Sequence, residues 1–332
     1  MQTKPQLVYD DALVAEIAAE IATVADADEW TDQLAGIYEN PDPTVCYQSR
    51  DWKIVDYRST RIANLDYAVR GPVPEVLTPG GYFVTLGSSV TFGAGVERPY
   101  ATILSERLGL PVLNLAFAGA SPEFYVRHHA SGLRHWLEGA AFVIVETMSS
   151  RSISNSRFES VEGRRDATEV KHPDTPAANV TPVLRRMLKS GKNAVLSKVM
   201  RESLEAHEAL FGEIVAMTEA PVIGLWLSKR SPDAVDREKM RRNRGMMARA
   251  LKMHPHFADR ALVDRLAAKS AAFVEVTSQR GQPSFAVNRF TKKPDTWWNG
   301  NKKQSHYPSP EMHEDAAEAL LPVAREQLGV LP

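Results

Sequence analysis

Five short apolar runs, each set off by a helical stretch, constrain this chain more than any other feature in it. They are "YFVTL" (82–86), "PVLNLA" (111–116), "AAFVIVE" (140–146), "APVIGLWLS" (220–228) and "AAFVEVTS" (271–278). The helical stretches are "YATILSERLGL" (100–110), which stops at Gly109, a segment around Trp136, and 194–219, 236–252, 259–270 and 310–328. Apolar runs too short for buried helices, alternating with amphipathic helices, imply a parallel sheet covered on both faces. The fold class is therefore α/β, with a sheet of about five strands and right-handed crossovers.

The sheet begins late. Residues 11–24 carry Leu13, Val14, Ile17, Ala18 and Ile21 at helical spacing, and 40–80 read as irregular, ending in "RGPVPEVLTPGG". The chain divides into an N-terminal helical and irregular extension (1–80) and an α/β domain (81–332). Residues 151–192 are polar, punctuated by "HPDTP", and read as an insertion above the sheet that suits a lid. The net charge of -1 supplies no field to draw nucleic acid or an anionic membrane. No apolar run is long enough for a bilayer. One cysteine, Cys46, and no basic-then-apolar leader in "MQTKPQLVYDD" point to a cytoplasmic protein. There is no dinucleotide or Walker glycine fingerprint, so no cofactor is expected. The oligomeric state stays open.

Ligands of such sheets gather at the carboxyl ends of the strands. That rule nominates residues 87–89, 114–121, 146–155, 228–230 and the loop 300–313. In "VTLGSSVTFGAG" (84–95) the strand runs straight into a Gly-Ser-Ser turn. A serine there is exposed at the sheet edge, beside backbone N–H groups able to hold an oxyanion. A Gly/Ser loop that only turns the chain gives the same letters.

"GSS", the helix with "LG", the next strand and "NLAFAGAS" together resemble the opening of the SGNH (GDSL-like) hydrolases. The resemblance implies a flavodoxin-like three-layer α/β/α fold. It implies Ser89 as nucleophile, with Ser88 in place of the family's Asp, and Gly119 as the oxyanion glycine. Asn114 matches an asparagine that precedes the second block. The third block departs: the strand runs into "ETMSSRSISN", so Ser150 or Asn155 would complete the oxyanion hole and Arg151 would bind an anionic group. Glu146 suits either orienting a base or pairing with an arginine. The C-terminal "YPSPEMHEDAAEALLP" resembles the fifth block, in which a catalytic His-Pro precedes a helix with another histidine. Aligned on Pro308, it puts Tyr307 at the catalytic His position, Gln304 at the Asp position, and His313 at a helix histidine. Slid by one, it makes His306 the base and Lys303 stands for Asp.

Bland roles compete with these. His313 suits a buried hydrogen bond, and His306 a solvated loop. Ser309 before Pro310 reads as a helix N-cap. His254 and His256 in "LKMHPHFADR" have the spacing of a metal pair, but no Cys or carboxylate cluster accompanies them, so no metal is expected. His128 and His135 fit a surface helix face. "TKKPDTWWNGNKK" mixes cations with Trp297 and Trp298 and suits a glycan.

The leading expectation is a serine esterase acting on a small-molecule or glycan ester. Ser89 attacks, His313 or His306 accepts its proton, and the N–H groups of Ser89 and Gly119 hold the oxyanion. A non-catalytic module of the same fold, binding a glycan or an anion, and a sulfuryl or phosphoryl transferase are the alternatives.

Overall fold

The computed structural model describes residues 47–164, 166–169, 178–236 and 244–329, save residue 49, together with 6–7 and 239. The expected helix at 11–24 lies outside the described residues.

All five expected strands form. They are β1 (Phe83–Leu86), β2 (Val112–Asn114), β3 (Val143–Glu146), β4 (Val222–Ser228) and β5 (Ala272–Thr277). They pair in parallel in the order β2-β1-β3-β4-β5. This is the flavodoxin-like order, which reverses direction between β1 and β3 and opens a crevice above that point.

Side-chain alternation sends each strand into two cores. Val84, Leu86, Val143, Val145, Val222 and Trp226 face one side. Phe83, Ile144, Ile223, Leu225, Val274 and Val276 face the other. The helices are α1 (Ser89–Phe92), α2 (Tyr100–Leu108), α3 (Ala130–Leu137), α4 (Val180–Lys189), α5 (Asn193–Val215), α6 (Arg244–Lys252), α7 (Arg260–Ala267) and α8 (Pro310–Gln327). Helices α2 and α8 cover the second face through Tyr100, Leu104, Met312 and Leu320. Helices α3 to α7 cover the first, through Leu133, Leu184, Leu204, Met247 and Leu262 among others. The fold is thus three-layer α/β/α.

Helix ends follow the expected chemistry. Gly109 ends α2 in the left-handed region at φ 64°. The Ser309 side chain caps α8 by accepting from the Met312 N–H.

Two segments differ in texture from their letters. The end of the 151–192 stretch is α4, whose Val180, Leu184 and Met187 are buried in the main core. Strand Phe158–Ser160 pairs antiparallel with Asp166–Glu169, which pairs with Ala178–Asn179. Residues 47–80 hold only the short strands Thr60–Arg61 and Ala68–Val69 beyond the helical turn near 50, yet Ile62, Leu65, Tyr67 and Val69 join the main core. Arg70 is buried and donates to the carbonyls of Phe92, Gly93, Val96 and Glu97, holding down the loop after α1. Burial lowers its pKa to about 10, so it stays charged at neutral pH.

Candidate functional site at the carboxyl edge of the sheet

The Gly-Ser-Ser turn is built around one carboxylate. Glu146, at the end of β3, is fully buried beneath it. The Ser88 N–H donates to Glu146 Oε2 at 2.8 Å and the Ser88 hydroxyl to Oε1 at 2.7 Å. Thr91 donates its N–H at 3.1 Å and its hydroxyl at 2.7 Å. Burial alone would raise this carboxyl's pKa. The donors from His254, Ser88 and Thr91 outweigh it and hold the pKa below the usual value. The approach is close enough to need glycine at 87. A Cβ there would lie 2.3 Å from Thr91 Oγ1 and 2.4 Å from Glu146 Oε2. Ser88 therefore serves the carboxylate, and Ser89 is left at the head of α1, half-buried.

Ser89 Oγ lies 3.1 Å from the Tyr47 hydroxyl, which lies 3.0 Å from the Tyr307 hydroxyl. Among the described residues no histidine bonds to Ser89. Tyr307, at the aligned base position, thus connects to the serine through a second tyrosine. Burial and the neighbouring Tyr47 keep the Tyr307 phenol protonated, well above its usual pKa. Arg50 sits 4.0 Å over the ring of Tyr47 and 4.0 Å over that of Trp298, and binds Asp51 with two hydrogen bonds. The Trp298 ring lies 5.6 Å from Tyr307. These rings and Arg50 make an aromatic wall beside Ser89.

The two candidate bases separate clearly. His313 is fully buried; its Nδ1 accepts from the Tyr100 N–H at 3.2 Å, and its ring stacks on Tyr100. Burial, with Arg70 nearby, lowers its pKa to about 3. It is a neutral packing residue between α2 and α8. His306 is exposed, with its ring 4.7 Å from that of Tyr307. Desolvation against the packed rings and loops around it, then the charges of His254, Arg151, Lys229 and Arg50, lowers its pKa to about 4. Its ring nitrogens bond to no described residue.

The remaining candidates lie as follows. Gly119 is in a turn at φ 77°, consistent with its being glycine. Asn114 is buried, donates to the Thr91 carbonyl and accepts from the Ala116 N–H, tying β2 to α1. Ser150 is buried against His207, its Oγ 2.9 Å from Nδ1. Asn155 accepts from the N–H groups of Arg157 and Phe158 and donates to the Ile153 carbonyl. Ser150 is thus tied to α5, while Asn155 shapes its own loop and also donates to Ser203 on α5.

Arg151 begins a directed chain. Its guanidinium, which can only donate, lies 2.9 Å from His256 Nε2. His256 is neutral because burial, then Arg151, lowers its pKa well below normal. Its proton must then sit on Nδ1 and point to Ser149 Oγ at 2.7 Å. Ser149 Oγ also accepts from the His256 N–H at 3.2 Å, so its own proton goes to His254 Nδ1 at 3.2 Å. His254 Nε2–H then donates to Glu146 Oε1 at 3.1 Å. The carboxylate that shapes the serine turn is paired with a histidine, not with an arginine. "HPH" is legible as a pair in the sequence; its link to Glu146 is not, because 108 positions separate them.

Two further buried neutral histidines, besides His256, set an acid limit. His207 and His313 are both lowered to about 3, first by burial. Between about pH 6.5, the unfolded value, and pH 3 the unfolded chain binds these protons and the fold does not. Stability is expected to fall as pH drops through that window, by up to about 2.7 kcal/mol per pH unit for the two groups. Urea unfolding from pH 7 to pH 4 measures it. A midpoint flat over that range would contradict both assignments.

The chain matches a family model over residues 46–171, described as a domain of unknown function, DUF6473. No curated protein matches. Among solved structures, it is similar to a family two carbohydrate esterase from Clostridium thermocellum in complex with cellohexaose, at 12% identity over 82% of this chain and 72% of that one, TM-score 0.38. An acetyl xylan esterase from Butyrivibrio proteoclasticus matches at 12% identity over 82% and 69%, TM-score 0.39. A candidate SGNH hydrolase from Slackia heliotrinireducens matches at 15% identity over 73% and 97%, TM-score 0.37.

Proposed function

We propose that this protein is an SGNH-like serine ester hydrolase that removes, or transfers, an acyl group borne by a carbohydrate, through an acyl-enzyme on Ser89. The observation that carries the reading is the position of Ser89. It heads α1 at the strand-order reversal, on a turn that a buried carboxylate holds in shape. Ser89 Oγ attacks the acyl carbon, and the Ser89 and Gly119 N–H groups receive the developing oxyanion. The serine's proton passes to the Tyr47 hydroxyl, which gives its own proton to the Tyr307 hydroxyl 3.0 Å away. Tyr307 releases its proton to His306, whose ring lies 4.7 Å from its own, and His306 returns a proton to the departing sugar oxygen. Water or a second hydroxyl then takes the acyl group. The exposed Trp298 ring, beside Tyr307, supplies a flat apolar face of the kind sugar rings stack on. The single cysteine supports a cytoplasmic location.

A non-catalytic binding module is the second reading. It is favoured by Tyr307 standing where the family keeps its base and by the absence of a histidine bonded to Ser89 among the described residues. Fluorophosphonate labelling divides the two. Labelling that disappears in Ser89→Ala and persists in Ser105→Ala supports the enzyme. A folded protein that resists probes of several sizes supports the binding module.

A further inference from the structure

Beside Val90, next to the proposed nucleophile, lies a cavity of about 130 Å³, ample for several water-sized groups. Its walls include Lys229, Lys252, His254, His256, Ser305 and His306, and among the described residues no aspartate or glutamate lines it. The Lys229 ammonium is part-buried and donates to the Ser305 carbonyl. Burial pushes its pKa down and no carboxylate offsets that. Arg50 and Arg151 add positive charge close to His306. Three histidines around one cavity would ordinarily suggest a metal. Here the hydrogen-bond chain occupies all four ring nitrogens of His254 and His256. No metal-holding group of three ligands occurs among the described residues. What the cavity offers is positive charge and donors; among the described residues the one carboxylate bonded to its lining is Glu146, whose oxygens are taken up by His254, Ser88 and Thr91.

We infer that this cavity binds an oxyanion group, a carboxylate, sulfate or phosphate, through Lys229, Lys252 and His306. Where that group belongs to the substrate, the inference rests on the esterase reading and narrows its substrate to an acyl ester with an acidic substituent. Lys229 and Lys252 supply charge, and His306 and the Ser305 hydroxyl supply donors. An anion seated there also favours the protonated form of His306, and so raises the basicity of the imidazole.

The test is calorimetric titration of the full-length protein with inorganic sulfate, phosphate and acetate, with chloride as the ionic-strength control. Saturable binding of at least one oxyanion is expected, weakened by about tenfold or more in Lys229→Met and to a lesser degree in Lys252→Met. The His306 C2–H resonance should titrate at higher pH when the anion is bound. Ser89→Ala should bind as the parent does, so loss of the esterase reading leaves this result standing. A kcat/KM preference for an acidic over a neutral acyl ester, lost in Lys229→Met, assigns the anion to the substrate; binding without that preference assigns a free ion. The inference is overturned by a folded protein that shows no saturable binding, or by binding that both lysine variants leave unchanged.

Discussion

Glu146→Ala is expected to destabilise the protein by about 3–5 kcal/mol, the usual cost of removing one partner from a buried charged network. The carboxylate accepts from the N–H and hydroxyl of Ser88, the N–H and hydroxyl of Thr91, and His254. All five donors lose their acceptor at once, and no water reaches a fully buried position cheaply. Glu146→Gln keeps one oxygen and should cost less, but its amide NH₂ faces donors. The carboxyl pKa is lowered in the fold, so its contribution is present above the unfolded value, near 4.5, and is lost as pH falls through the folded one. The Gln variant should lose that part of the pH dependence. Urea midpoints at pH 7 and pH 4 for the three proteins measure both effects. A loss under about 0.5 kcal/mol in the Ala variant, the range of ordinary surface substitutions, would refute the central place given to this carboxylate.

Ser89→Ala is expected to lower kcat/KM on an acyl ester by about 10³-fold or more, the scale on which nucleophile removal operates. It should leave stability nearly unchanged, since the side chain is half-buried and, among the described residues, bonds only to Tyr47. That contrast with Glu146→Ala separates chemistry from scaffold. Tyr47→Phe should fall between the two, because it removes the hydroxyl that carries the proton and keeps the ring under Arg50. The neutral imidazole of His306 is the working form. Activity should therefore rise with pH through about 4 and stay level above it until another group titrates. Activity retained by Ser89→Ala would end the assignment of the nucleophile, whatever the pH profile.

The two outcomes for the histidines show where local reasoning stops. Both lie within eight positions of each other, and either suits a catalytic block by spacing. The α8 cap at Ser309 turns His313 inward against Tyr100, and the loop before it leaves His306 at the cavity. Nothing in "SHYPSPEMH" distinguishes a nitrogen facing a backbone N–H from one facing solvent. Tyr47 and Arg50 illustrate the same limit from the other end of the chain. They sit in a stretch without periodicity, and their value comes from contact with Ser89, Tyr307 and Trp298, between 42 and 260 positions away.

The strands, the main helices and their stops were legible because they depend on neighbours in the chain. Apolar period, N-cap serine, and a glycine free to take a positive φ act over a few residues. So was the Gly-Ser-Ser turn at a strand end, since the end of β1 is itself local. The partners of that turn were decided only by tertiary structure. Parallel strands are joined by long crossovers, and the β2-β1-β3-β4-β5 order places Glu146 beneath Ser88 and brings the 254–256 and 305–308 loops to the same edge. Which groups meet there depends on side-chain direction and burial across those crossovers, quantities that no spacing along one chain contains.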